Sequence, residues 1–369
     1  MFDKRIMRHF DWVNFVVTLI LLSIGLLFVF SSTYQVEKPC SMFFKKQLFG
    51  VVSGLVIYVI MCLVDLRKIL QAGYLAYFGI LALLLYTVVG GWVGMGAQRW
   101  ISLYLFRFQP SELTKLIFPL FVAYCFTEFN NVARDDGQRY TMQQFWYPLT
   151  ILLLSFILIS RQPDLGTALI VLFSGLILFW FIGMPRKFFV IAVLVSILGT
   201  PVLWTCLKPY QQRRILVLFG YGDVKRERYQ IEQSKIAIGS GGVLGKGFLQ
   251  GTQSKLGFLP EDHNDFIFSV ICEEWGLLGA CFLIFLFALL CVRLIYLIFQ
   301  IPSFANQIIS LGLIMHIVLS VCINIGMVVG LLPIVGQSLP LLSYGISNLW
   351  ITLASLGWLN NIAMRRFFS

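Results

Sequence analysis

Charge is scarce in this chain. Of its 369 residues only 12% are Asp, Glu, Lys or Arg, about half the share of a soluble globular domain. Acidic residues are the scarcer kind, 17 against 28 Lys and Arg. Histidine is rarer still, and the three present, His9, His263 and His316, are too far apart to suggest a metal site. None of the eight cysteines forms a C-x-x-C pair, and all but Cys40 fall in or beside apolar runs. Free lipid-buried thiols are therefore expected rather than a disulfide framework. No low-complexity tract or internal repeat is present. What fills the chain is apolar: 59% hydrophobic residues, mean hydropathy +0.85, with 34 Phe, 14 Tyr and 9 Trp. One soluble core could not hide so many. Soluble, disordered and collagen-like readings are excluded, leaving a polytopic membrane protein. The net charge of +11 then reads as a topology signal and an attraction to anionic headgroups or phosphates, before nucleic acid.

A helix needs roughly 20 apolar residues to cross the hydrocarbon core. Ten runs approach this: Trp12–Ser31, Leu48–Val64, Gly73–Val89, Leu113–Thr127, Tyr147–Ile159, Leu165–Gly183, Phe188–Leu207, Trp275–Ile298, Ile308–Leu332 and Tyr344–Ala363. The fourth and fifth are short, and Lys115 and Pro119 interrupt the fourth, so the count is nine or ten. The first follows Lys4, Arg5 and Arg8 like a signal peptide, but its length and the lack of a small-residue cleavage site favour a retained helix. Ten spans put both termini on one side. The short loops of that side, with Arg67, Lys68, Arg186 and Lys187, carry about twice the Lys and Arg of the other, so the termini are expected in the cytoplasm. The long connection 208–264, between spans seven and eight, then faces outward and is expected to hold short surface helices. The fold expected is all-α, one transmembrane helical bundle over residues 1–369.

Ionisable groups within or beside spans are costly and mark function. Gln109-Pro110-Ser111-Glu112-Leu113-Thr114-Lys115 opens the fourth run. A Ser111 cap with a first-turn glutamate explains Ser111 and Glu112 as a plain helix start. It does not explain Lys115, a cation at the end of a helix that disfavours one. Asp164, in Arg161-Gln162-Pro163-Asp164, is either a helix cap or the anionic partner of Lys115. The third segment, Pro260-Glu261-Asp262-His263-Asn264-Asp265-Phe266, precedes Glu273 and Glu274. A carboxylate beside Phe266 and an apolar run suits a general base, although Asn264 or Asp265 would equally cap the following helix. If that segment is helical, Asp265 and Glu273 stand about 12 Å apart along the axis, too far for a glycosidase-like pair. Gly239-Ser240-Gly241-Gly242 and Gly245-Lys246-Gly247 have the composition of phosphate loops without the strand–turn–helix context, and read as a turn. Arg213 and Arg214 are interfacial anchors or phosphate ligands.

Several motifs together resemble one family. They are Gln233–Gly242, Gly245–Ser254, Phe258–Glu261 with Asp265–Phe268, Gly96–Trp100, Phe108–Glu112, Gln162–Gly166 and Asn324–Met327. In this order, over nearly the whole chain, they are similar to the SEDS (shape, elongation, division, sporulation) family of bacterial cell-wall proteins, on its RodA-like side. The family usually has His-Thr-Asp where this chain has His263-Asn264-Asp265, and Ser-Tyr-Gly-Gly where it has Ser343-Tyr344-Gly345-Ile346.

The resemblance implies a peptidoglycan glycosyltransferase of the bacterial cytoplasmic membrane that polymerises lipid II on the outer face for elongation and rod shape. It implies a class B penicillin-binding protein and other elongation-complex membrane proteins as partners, and no nucleic acid. Asp265 matches the presumed catalytic residue, and Glu112, Lys115 and Asp164 match residues around an outward cavity. Chemistry agrees, since the reaction needs a base for the attacking hydroxyl and cations for the departing diphosphate. Asp265 suits the first task. Lys115, Arg99, Arg107, Arg213 and Arg214 suit the second, and Trp100 joins them as a substrate-binding residue. No cofactor is assigned, although a divalent cation (Mg or Mn) could assist. The rival readings are a lipid II flippase and a non-catalytic scaffold of the synthesis complex.

Overall fold

The structure, a computed structural model, describes residues 9–35, 40–94, 97–103, 106–129, 140–219, 221 and 225–366. Helices dominate. The first three are α1 (Trp12–Thr33), α2 (Met42–Leu63) and α3 (Leu66–Gly90). Asp11 starts α1 and Ser41 starts α2, each accepting the N–H of the residue three positions on, which satisfies a donor left over at a helix start. After α3 comes a three-stranded antiparallel sheet in sequential order: β1 (Trp92–Gly94), β2 (Ala97–Leu103) and β3 (Phe106–Phe108). The all-helical expectation did not include it. Then follow α4 (Pro110–Tyr124), continued by a π-helical turn at Cys125–Phe129, α5 (Met142–Arg161) and α6 (Leu165–Ile182).

The seventh apolar run divides into α7 (Arg186–Leu198) and α8 (Thr200–Cys206), and α7 buries none of its residues. The long connection is largely helical as expected, with α9 (Pro209–Leu218), α10 (Lys225–Ser240) and α11 (Thr252–Lys255). The last three helices are α12 (Ile267–Ile298), α13 (Phe304–Val329) and α14 (Ile346–Arg365).

Among the described residues seven helices are long and apolar enough to cross a membrane: α1, α2, α3 from Ile69, α5, α6, α12 and α13. The chain is a multi-pass helical membrane protein. Among the remaining expected runs, α4 is 15 residues long and carries Glu112, Lys115 and Pro119. The tenth run, α14, has the length but turns Ser347, Thr352, Ser355, Asn360 and Asn361 into the protein. The eighth expected span begins later than the helix does, since α12 starts at Ile267. Gly276, at φ 65° and ψ −162°, breaks it near where the apolar run opens.

Contacts between helix ends set the direction of each helix. At one end Gln47, near the start of α2, donates to the Ser343 carbonyl (3.1 Å) before α14, and Gln162, after α5, donates to the Leu84 carbonyl (3.0 Å) late in α3. At the other end the Asp11 N–H donates to Asn360 (3.0 Å), Arg293 pairs with Asp11 (3.0 Å), and Asn361 donates to the Val64 carbonyl (2.7 Å). The starts of α1 and α13 and the end of α14 thus lie on one face, with Phe181, ending α6, stacked on Phe304. The starts of α4, α6 and α12 lie on the opposite face. Small residues let the helices close up: a Cβ at Gly357 would collide with the Tyr58 carbonyl oxygen, and one at Gly312 with the Pro119 ring.

Candidate active site

Asp265 lies just before α12. The cap position is Phe266, which has no side-chain capping bond, so neither Asn264 nor Asp265 caps this helix. Asn264 instead donates to the Glu261 carboxylate (2.5 Å). The Asp265 carbonyl accepts from Asn324 Nδ2 of α13 (2.8 Å), and the same amide group donates to the Gln337 carbonyl (2.7 Å). One buried Asn therefore ties the Asp265 backbone to the segment after α13. In that segment Gly336 takes φ +71°, and a Cβ there would lie 3.7 Å from Asp265 Oδ2. The carboxylate approaches the Gly336 backbone closely, a placement that glycine permits.

The other flank of the same segment touches α6. A Cβ at Gly166 would come 3.1 Å from the Val335 carbonyl oxygen and 3.3 Å from Gln337 Oε1. Asp164 caps α6, its Oδ1 accepting the Thr167 N–H (3.3 Å), as one reading of the sequence expected. Its other oxygen accepts from Gln109 Nε2 (2.5 Å) and Ser111 Oγ (3.1 Å). Ser111 is thus not a cap. Gln109 holds the cap position of α4 without a side-chain bond, Pro110 fills the first turn where no N–H is needed, and the Ser111 hydroxyl serves Asp164. Residues 334–338 sit between Asp265 on one side and the α4–α6 junction on the other.

The expected Lys115–Asp164 pair is not what forms. Lys115 Nζ lies 2.7 Å from Glu112 Oε2, one turn earlier on α4, and both side chains are buried. Geometry explains the preference: residues three apart share a helix face, and a first-turn carboxylate also suits the helix dipole. The sheet leads directly into α4. Trp100 is half-buried on β2, opposite Trp92 in register, while the side chains of Arg99 and Arg107 lie outside the described residues. Arg213 is exposed and Arg214 half-buried on α9.

Glu273 and Glu274 are tied up elsewhere. Glu273 accepts from Lys246 Nζ (2.6 Å) and the Thr252 N–H (2.8 Å), and Glu274 from Ser31 Oγ (2.5 Å) and the Leu249 N–H (3.2 Å). Gly241 and Gly245 press on the α12 backbone: a Cβ at either would collide with the carbonyl oxygen of Cys272 or Glu274. The glycine-rich stretch is packing against a kink, in keeping with its reading as a turn. Among the described residues no group of three His, Cys, Asp or Glu side chains is placed to hold a metal ion. Gly336 and Gln337 escaped the sequence analysis. The available signal was one glutamine, in Gly336-Gln337-Ser338, between two prolines, Pro333 and Pro340.

Comparison with known proteins identifies the family. The family model of the FtsW, RodA and SpoVE proteins, described as cell cycle proteins, matches residues 11–367. The chain belongs to this family. Among curated relatives, the peptidoglycan glycosyltransferase MrdB of Escherichia coli K12 is 36% identical over 362 residues, covering 97% of this chain and 94% of the relative. Stage V sporulation protein E of Bacillus subtilis is 33% identical over 363 residues, covering 96% of each. A chain of a solved peptidoglycan synthase complex that coordinates polymerization and crosslinking superposes with TM-score 0.81 at 29% identity, covering 98% of this chain and 99% of that one. The rod shape determining protein RodA of Thermus thermophilus does so with TM-score 0.71 at 26% identity, covering 97% and 98%.

Proposed function

We propose that this chain is a peptidoglycan glycosyltransferase, polymerising lipid II into glycan strands for cell elongation and rod shape, with Asp265 as general base. One observation carries the reading at the level of the site. Asp265 is not a helix cap, and its carboxylate faces Gly336 on a segment whose other flank packs on the Asp164–Ser111–Gln109 junction. A carboxylate fixed through its backbone at the mouth of a helical bundle can take the proton of an acceptor hydroxyl as it attacks the donor's anomeric carbon. The Lys115 charge is already offset by Glu112. Stabilisation of the departing diphosphate therefore falls chiefly to Arg99, Arg107, Arg213 and Arg214, with Trp100 offering an aromatic face to the substrate. Glu112, Lys115 and Asp164 shape the cavity from behind. With no all-protein cage among the described residues, a divalent cation would take at most a single carboxylate from this chain and would supply positive charge for the departing diphosphate.

The chain is one transmembrane domain with both termini in the cytoplasm and Asp265 facing outward. Helix directions support ten crossings: α6 runs away from the site face and α12 begins on it, which calls for an odd number of crossings between them, and α7 with α8 would supply one. The partner is a class B penicillin-binding protein within the elongation complex. A structural relative is a chain of a peptidoglycan synthase complex that coordinates polymerization and crosslinking, which supports such a partner. A flippase moving an anionic headgroup would need charged groups through the depth of the bundle. Here Glu112, Lys115, Asp164 and Asp11 all lie at or near helix starts.

The deciding experiment reconstitutes the purified chain with labelled lipid II, with and without a class B penicillin-binding protein. Glycan polymer is the expected product. Transbilayer movement of lipid II without polymer would favour the flippase, and neither activity the scaffold.

A further inference from the structure

We infer that Glu273 and Lys246 form a clamp that positions Asp265, making both of them positioning residues for the polymerase reaction. The inference rests on the glycosyltransferase reading above and deepens it.

The Glu273 side chain is fully buried two turns into α12, yet its carboxylate is crowded with donors from one distant segment. Oε1 accepts from Lys246 Nζ (2.6 Å), Thr252 N–H (2.8 Å), Thr252 Oγ (2.9 Å) and Gln253 N–H (3.2 Å), and Lys246 Nζ also donates to Thr252 Oγ (2.8 Å). The backbone repeats the attachment, because the Lys246 N–H donates to the Glu273 carbonyl (3.0 Å) and the Gly247 N–H to that of Glu274 (3.0 Å). From this anchor the chain runs to Asp265 through two hydrogen-bonded turns and a tie to the segment before α14. The Gln253 carbonyl accepts from Phe258 (3.0 Å), the Glu261 carbonyl accepts from Asn264 (3.1 Å), and the His263 carbonyl accepts from Tyr344 (2.9 Å). The segment then joins α12 covalently two residues after Asp265. It is a loop closed at one end by the peptide chain and at the other by α12, where the Glu273 carboxylate takes most of the donors and two backbone bonds and the Glu274 carboxylate take the rest.

This arrangement answers why a buried carboxylate stands eight residues from the proposed base without being its chemical partner. Taking Glu273 out of water is costly, and the cost is recovered only if all its donors stay in place, so the loop has one well-defined seat. Glu261, at φ +56°, holds a backbone conformation that an L-residue adopts only when its surroundings impose it. Loosening the anchor lets that turn relax and shifts Asp265. A displacement near 1 Å costs on the order of 10²-fold in rate when a base must meet a hydroxyl. Substrate affinity, set by other groups, should change little.

The test uses the full-length chain with its penicillin-binding partner and labelled lipid II. Lys246→Met and Glu273→Gln should each lower kcat on the order of 10²-fold while KM stays put. Lys246→Arg, which keeps the charge, should recover most of the rate. Amide hydrogen exchange at Thr252 and Gln253 should quicken in the two damaged variants and not in Lys246→Arg. If Glu273→Gln does not fold, Thr252→Val, lacking only the bridging hydroxyl, takes its place with the same expectations. Wild-type kcat in Lys246→Met, or activity lost only in proportion to the folded fraction, would overturn the clamp as a positioning device. Failure of the wild-type chain to form polymer, with exchange at Thr252 and Gln253 still slow, would instead remove the glycosyltransferase reading on which it rests.

Discussion

The Lys115 ammonium and the Glu112 carboxylate meet at 2.7 Å on one face of α4, both buried. The contact brings charges together without an aligned hydrogen bond at Lys115 Nζ. It resolves the difficulty of a cation near a helix start: the carboxylate one turn earlier offsets the charge, and neither side chain has to reach another helix.

This pair predicts an asymmetry between single and paired changes. Glu112→Gln leaves a buried ammonium without its counter-charge and should destabilise the protein by about 3–5 kcal/mol. Glu112→Gln combined with Lys115→Met removes both charges and should recover much of that loss. Thermal unfolding of the detergent-solubilised variants measures it. A double variant no more stable than Glu112→Gln would show that the two charges do not depend on one another.

Gly336 supplies a backbone test of the site. At φ +71° an alanine is strained, and its methyl would lie 3.7 Å from Asp265 Oδ2. Gly336→Ala should cost about 1 kcal/mol or somewhat more in stability. It should also lower polymerisation beyond what that loss explains, because the methyl narrows the space before the carboxylate. Polymerisation per folded molecule, compared with Gly183→Ala at a left-handed helix end facing open space, separates the two effects.

Orientation is tested by labelling. Tyr221 is 70% exposed in the long connection between α9 and α10. A cysteine there, in a chain stripped of its native thiols, should react with an impermeant maleimide on intact cells lacking an outer barrier. Reaction only after lysis would place the connection, and Asp265 with it, in the cytoplasm.

How far the molecule could be read from its sequence follows from the range of each force. Apolar runs announce helices because lipid demands them locally, so the runs from Trp12–Ser31 to Tyr344–Ala363 all fall on helices. The early start of α12 was hidden because Glu273 and Glu274 look like residues for water. Their donors, Lys246, Thr252, Ser31 and Leu249, come from segments 20 or more residues away. The Asp164 cap was legible in Asp164-Leu165-Gly166-Thr167, a bond within one turn. Its bonds to Gln109 and Ser111 were not, since they cross between helices. Lys115 was recognised as needing an anion, but the nearer partner, on its own helix face, was passed over for a distant one. Gly336 carries its meaning in a dihedral angle that composition does not display.

Asp265 carries the functional claim, and its substitution by asparagine separates chemistry from architecture. The residue presents a carbonyl that accepts from Asn324 and a carboxylate that faces Gly336. Asp265→Asn keeps the backbone bond, the side-chain volume and most hydrogen-bonding capacity, and α12 loses no cap because the cap position is Phe266. Folding and association with the penicillin-binding partner should therefore persist. What disappears is a group able to take a proton. Glycan formation from labelled lipid II should fall on the order of 10²–10⁴-fold, the usual worth of a general base. The Glu273→Gln loss belongs at the lower end of that range, since that carboxylate acts through the loop and not on the hydroxyl. Matched amounts of each variant, assayed by the length and yield of labelled chains, give the comparison. Wild-type yield from Asp265→Asn would show that its carboxylate is not the base, and the search would move to the other acids of the same loop, Glu261 and Asp262.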